Sequence, residues 1–479
     1  MKYKLLGTLF VSSFFAMSSP IFGQDKTITG DTLSLSLDEC IKIALNENPT
    51  IKVADMEVER VDYSKKEIIG QLLPSISFGA SYNRMIAKQV TYMNMDAFKG
   101  LGGGASSEGT TDEATETAKS AKSSDTGIKM GLDNSYSMGF SASLPLIAPQ
   151  LWKSISLSES QILQNVESAR KSRLSLVNQV KSAYYTLLLA NDSYSVINES
   201  YENAKFSHDV YQKKYQVGAA SEYDVLRTSV TVKNIETELL QAEISIKQAR
   251  LQLLILMGID ATIPIKPTTR LAEYEATMYD DTMNLSRSID GNSDLRMLDL
   301  QTQTLNDALI VQKMSWMPTL ALTANYNWTS SSDGSPFKNF RWNPYSVVGL
   351  TLQIPIFQGG QRYNRIKQAR IQVDEMKWQR QNLERSINMQ VDLAIDNIQM
   401  NVKQIASTSE SVKQADKAHQ IMEKSFEIGA ASYLDLRDSE LALTRARLAY
   451  YQSIYNYLVA NGELELLLGN ADLDKYSDK

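Results

Sequence analysis

The stretch YQVGAASEYDVL, Tyr215–Leu226, returns 211 residues later as FEIGAASYLDLR, Phe426–Arg437. In both, a glycine (Gly218, Gly429) is followed by two alanines, a serine and, six positions after the glycine, an aspartate (Asp224, Asp435). Ahead of each lies a run of 68 residues without glycine or proline, Gln150 to Val217 and Gln361 to Ile428. As one unbroken α-helix each run would be about 100 Å long, more than a compact domain contains. Leu176, Val180, Ala183, Leu187 and Ala190 recur at gaps of three and four in the first run, as do Leu383, Ile387, Val391, Ala394, Ile398, Val402 and Ile405 in the second. That spacing predicts helices packed side by side in coiled-coil fashion. A glycine ending such a helix supplies the left-handed conformation that closes its last turn.

The match continues outward from this turn. Gly258 and Gly469, which close LLILMG and LELLLG, keep the spacing of 211, and Pro145 and Pro355 stand 210 apart. Pro74 and Pro318, like Asn48 and Asn292 or Ile51 and Leu295, are 244 apart, so the first copy carries an insertion of 34 residues between 86 and 134. The chain is therefore two copies of one unit: helix, strand, loop, strand, very long helix, short turn, helix. We place the first repeat at 24–258, a linker at 259–283, the second repeat at 284–469 and a tail at 470–479. SLDECIKIALNENP opens the first copy, with Ser36 and Glu39 at the spacing of a capping box and a break at Pro49. Its counterpart NLSRSIDGNSDL is degenerate.

Strands are expected near 74–84, 136–146, 318–328 and 345–355. In the first, Ile76, Phe78, Ala80 and Tyr82 alternate with Ser75, Ser77, Gly79 and Ser81; in the third, Leu320, Leu322, Ala324 and Tyr326 alternate with Thr319, Ala321, Thr323 and Asn325. One apolar and one polar face suits tilted strands of about 9 to 11 residues crossing a bilayer. Alternation alone also suits a small soluble sandwich. The long helices favour the membrane reading, but four strands leave open edges, which lipid does not tolerate. Three chains would supply 12 strands and close a barrel. The insertion is small, polar and glycine-rich, as a flexible loop is, and its GLGGG has no phosphate-loop lysine after it. Phe337, Phe340, Trp342 and Tyr345 of the partner loop are expected near a membrane interface.

Residues 1–23 have Lys2 and Lys4, an apolar run and small residues up to Gly23, the order of a secretory signal cleaved near Gly23. Its removal takes the net charge from -6 to -8, which argues against nucleic-acid binding. Beyond it no apolar run is long enough for a spanning helix. The single cysteine, Cys40, has no disulfide partner and sits in an apolar helical run, as a buried structural thiol would. His208 and His419, the only histidines, both precede their tip glycine by ten residues. Without clustered ligands they give no metal site, and no residues form a catalytic or cofactor-binding set.

The pattern resembles the TolC family of outer-membrane efflux proteins over essentially the whole mature chain. VGAASEYDV and IGAASYLDL, the SLDECIKIALNENP opening and the strand starts at Pro74 and Pro318 carry the resemblance. It implies a mainly helical fold: a homotrimer whose long hairpins form an α-helical barrel in the periplasm, continuous with a 12-stranded β-barrel, four strands per chain, in the lipid of the outer membrane. It implies a passive exit duct, docked at its hairpin tips on a periplasmic adaptor that leads to an inner-membrane pump. Gly218, Ala219, Ala220, Gly429, Ala430 and Ala431 are then the docking tips. Asp435 and Asp438, three apart on one helix face, are placed for the family's acidic constriction, and the first repeat has Arg227 where Asp438 would be. Asp435 equally suits a helix cap, and both roles stay open. Ala431 stands where the family often has a basic residue that ties the closed state. A structural coiled-coil protein of the envelope is the alternative; it explains the helices but neither the strands nor the tips.

Overall fold

The computed structural model describes residues 33–91, 128–275, 278, 287–334, 341–470 and 473–476. The expected signal segment, most of the insertion, and Phe337 and Phe340 lie outside these. The first repeat contains α1 (Leu37–Glu47), α2 (Pro49–Gly70), β2 (Ser75–Arg84), β5 (Asn134–Ile147), α3 (Pro149–Gln216) and α4 (Glu222–Met257). The second contains α5 (Ser293–Met314), β7 (Thr319–Ser332), β8 (Asn343–Gln353), α6 (Gln361–Glu427) and α7 (Tyr433–Leu468). Three-residue strands complete the set: β1 (Leu33–Leu35) pairs parallel with β6 (Ile265–Pro267), and β3 (Gln89–Thr91) antiparallel with β4 (Ile128–Met130).

The two long helices run 68 and 67 residues. The first begins at Pro149 rather than at Gln150, because proline fits the first turn, where its missing N–H is not needed. The opening helix is two helices divided at Pro49, and the capping box of Ser36 and Glu39 is formed. α2 has a counterpart, α5, of the same 22 residues; of the residues that would match α1, those described, 287–291, are not helical.

Both copies share a lock between the end of the hairpin and the start of the repeat. Asn48 caps α2 through Thr50 N–H and donates to the Leu256 carbonyl at 2.8 Å; Asn292 caps α5 and donates to the Leu467 carbonyl at 2.7 Å. Beside each stands the glycine that ends the returning helix, Gly258 (φ +69) or Gly469 (φ +67). A Cβ on Gly258 would lie 2.7 Å from the Glu47 carbonyl oxygen, and one on Gly469 only 2.0 Å from that of Gly291. The sequence repeats these glycines for their backbone angle and also for the close approach.

The large strands form one antiparallel sheet in the order β2-β5-β7-β8. β5 and β7 run 14 residues, beyond the expected 9 to 11, since their pairing continues to Asn134 and Ser332. One face carries aromatic pairs, Phe78 with Phe140 at 5.0 Å and Tyr82 with Tyr136 at 4.9 Å. The other carries serine pairs, Ser77 with Ser141 and Ser81 with Ser137, both at 2.7 Å. Ile76, Phe78, Val348, Leu350 and Leu352 are exposed on the apolar face.

The main core lies partway along the helices. Cys40 and Ile41 of α1 pack with Val180, Tyr184 and Leu188 of α3, Leu253 and Met257 of α4, Ile398 of α6 and Tyr457 of α7. Burial pushes the Cys40 thiol up to about 12, so it stays protonated and unreactive. Lys475 and Tyr476 join α1 here, donating to Asp38 at 2.9 and 3.2 Å.

Candidate functional site

Both hairpin tips close in the same way. Gly218 (φ +76) and Gly429 (φ +77) are left-handed, and the next N–H reaches back five residues, Ala219 to Lys214 and Ala430 to Ser425, at 2.7 Å in both. This is the Schellman pattern, which satisfies the last carbonyls of a helix. The returning helices start at once with capping boxes. The Ser221 hydroxyl bonds the Asp224 carboxylate, and the Ser432 hydroxyl that of Asp435, both at 2.7 Å. Between closure and cap only small residues remain: Gly218, Ala219, Gly429 and Ala430 are exposed, Ala220 and Ala431 half-buried.

The residues ahead of the glycines add to this surface. Val217 is 79% and Ile428 82% exposed, so each tip ends in an apolar side chain standing in solvent. Sequence reasoning took in this position only as part of the motif; an apolar residue before the glycine in both copies was the available signal.

Asp435 is a helix cap. Its carboxyl is held below the ordinary range by the Ser432 hydroxyl first and the Ser432 backbone N–H second. Asp224 is held down in the same way, with help from Arg227 at 3.8 Å. Asp438 is exposed one turn further on and forms no ion pair among the described residues.

The two hairpins differ most where Arg227 replaces an acid. Its guanidinium lies 5.0 Å from the Tyr433 ring, and Tyr211 meets the same ring edge-on at 5.3 Å. The first hairpin thus clasps the first residue of α7, and burial raises the Tyr433 phenol. Lys214 sits between the Tyr211 and Phe426 rings, at 5.4 and 5.8 Å. Above this clasp a groove of about 290 Å³ runs between the hairpins, lined by Phe206, Lys214, His419, Phe426 and Glu440 among others. The histidines are hairpin ties: His208 pairs with Thr228 at 3.0 Å and His419 with Ser439 at 3.2 Å. No group of three possible metal ligands occurs among the described residues.

The sequence profile of the family described as outer membrane efflux protein matches residues 40–259 and 284–470, the bulk of both repeats. The chain belongs to this family. Outer membrane efflux proteins are channels and not enzymes. Outer membrane protein TolC of Escherichia coli (strain K12) is 23% identical over 371 residues, covering 71% of this chain and 74% of TolC. Alkaline protease secretion protein AprF of Pseudomonas aeruginosa is 22% identical over 343 residues, 71% of this chain and 70% of AprF. Among solved structures, the Campylobacter jejuni CmeC outer membrane channel superposes with a TM-score of 0.65 at 19% identity, covering 90% of this chain and 85% of that one. An outer membrane efflux protein here carries its hairpin twice and joins very long helices to a four-stranded sheet.

Proposed function

We propose that three copies of this chain form the outer-membrane exit duct of a tripartite efflux or secretion system, which passes substrates from a periplasmic adaptor and inner-membrane pump to the exterior. The observation that carries this reading is the sheet. Its apolar face is exposed, its polar face is a ladder of Ser, Thr and Asn, and among the described residues β2 and β8 end it with unpaired edges. Lipid accepts such strands only in a closed barrel. Joining β8 of one protomer to β2 of the next closes 12 strands around the polar face. The helical hairpins then continue the tube into the periplasm. An envelope rod would leave the apolar face in water.

The tips are the adaptor-docking surface. Val217, Gly218 and Ala219 on one hairpin, and Ile428, Gly429 and Ala430 on the other, offer an apolar side chain beside open backbone. Asp435 and Asp438 form the constriction. Repeated around a three-fold axis, their carboxylates favour cations and raise the barrier to anions. Asp435 keeps its negative charge within the cap, which favours the ionised form, and Asp438 adds a second carboxylate one turn further on.

Single-channel conductance in a planar bilayer tests this, comparing wild type with Asp435→Asn/Asp438→Asn. We expect a small cation-preferring current that grows or loses its preference in the variant. Identical currents would remove the constriction and leave the duct. A protein that never inserts would restore the rod.

A further inference from the structure

Four junctions join the sheet to the helices, and the strand register brings them to one edge, since Ser75 pairs with Ser143, Pro145 with Ala321, and Thr319 with Gln353. Along that edge Leu73, Trp152, Trp316, Ile356, Phe357 and Tyr363 are exposed, Ile356 and Phe357 by 86% and 83%. Directly below, α6 opens with QRYNRIKQAR, which holds Arg362, Arg365, Lys367 and Arg370 and no acid. Cations at a helix N-terminus oppose the helix dipole, so α6 is not stabilised by this choice. None of the four forms an ion pair among the described residues, whereas Lys377 and Arg380 further along do. α3, which starts at the equivalent junction, has only Lys153 in its first ten residues.

Two of these cations are held in place by aromatic rings. Arg362 donates to the Pro355 carbonyl at 3.2 Å, with its guanidinium 5.7 Å from the Trp316 ring, and the Lys367 ammonium lies 4.7 Å from the Tyr363 ring. Between Trp316, Phe357, Gly360 and Arg362 is a notch of about 120 Å³. Apolar and aromatic side chains on the sheet side, with fixed and unpaired cations on the helix side, match the two halves of a lipid at a bilayer surface.

We propose that this corner binds the headgroup of an anionic phospholipid in the leaflet facing the helices. Arg362 and Arg365, three apart on one face of α6, meet the phosphate charge, while Trp316, Ile356 and Phe357 lie against the first acyl carbons. The inference rests on the reading of the sheet as membrane-spanning. It makes the second repeat the lipid-selective side of each protomer.

The test is lipid retention by the purified full-length protein in detergent, read by native mass spectrometry with phosphatidylglycerol and phosphatidylcholine in competition. Each juxtamembrane cation contributes roughly fivefold to anionic-lipid affinity. Wild type is therefore expected to prefer phosphatidylglycerol by about tenfold or more, and Arg362→Gln/Arg365→Gln to retain both lipids nearly equally. Conduction of both proteins in phosphatidylcholine bilayers reports the duct separately. An unselective wild type, or a variant with undiminished selectivity, overturns the lipid site and leaves the duct standing. So does displacement of phosphatidylglycerol by inorganic phosphate at equal concentration, which would make the site one for free anions. Failure of both proteins to insert in any bilayer overturns the membrane reading and the lipid site together.

Discussion

At the start of α7 the Asp435 carboxylate accepts from the hydroxyl and the backbone N–H of Ser432, at 2.7 and 3.0 Å. Its folded pKa is thereby lowered below the ordinary value of 3.8. The stability this adds is present above the unfolded value and is lost as pH falls through the folded one. Amide-exchange protection at the start of α7 should accordingly persist through the mildly acidic range and fall only below the ordinary carboxylate value. Ser432→Ala removes the reciprocal cap at any pH, at a cost of about 1 kcal/mol, read as a lower melting temperature. Protection that instead rises as pH falls below neutral would mean that charge repulsion, which raises a folded carboxylate's pKa, dominates here. The sequence carried the spacing of Ser432 and Asp435 openly, so the cap was legible. The clasp on Tyr433 was not, because Arg227 registered only as a missing acid, and its partner lies 206 residues away on the other hairpin.

Between elements, the four glycines that end helices divide into two kinds. Gly218 and Gly429 have nothing within 4 Å of a would-be Cβ, whereas Gly258 and Gly469 press against backbone. Gly429→Ala should cost about 1 kcal/mol, the left-handed strain alone. Gly469→Ala adds a collision with the Gly291 carbonyl and should cost about 3 kcal/mol or more. Melting of both variants checks the order, and equal losses would contradict the lock. A loss of adaptor binding by Gly429→Ala far beyond its small effect on melting is the signature of a docking surface. The hairpins themselves were readable, since 68 residues without glycine or proline leave a chain little alternative to helix. The locks were half readable: alignment brought out Asn48 with Asn292 and Gly258 with Gly469, but not that the Asn48 amide reaches Leu256 from 208 residues away. The added length of β5 and β7 was hidden because their ends are Ser- and Asn-rich, like the loops that follow.

At the scale of the whole molecule, the exposed apolar face and open edges make the protomers of the proposed trimer depend on one another. Ile76→Lys/Phe78→Lys puts charge on the apolar face of β2, which costs about 2–4 kcal/mol per cation at mid-bilayer. Co-produced in equal amount with wild type, such chains should leave only about one trimer in eight free of charge. Conducting units should fall in that proportion. A fall to one half would mean that protomers act alone, and to one quarter that they pair. Three-fold closure was an inference from strand count, which no single chain displays.

The unpaired edges of β2 and β8 also bear on the protein's life before it becomes a channel. On that reading an unassembled chain carries two ready templates for pairing with any neighbouring strand, and none of its described residues covers them. Such a chain is perishable, open to proteases and in need of escorts until it meets its partners. On the proposed trimer three chains must meet, so the number of finished ducts should fall faster than the rate of synthesis when expression is lowered. On the proposed trimer, the abundance of the channel would be set as much by how quickly its subunits find one another as by how many are made.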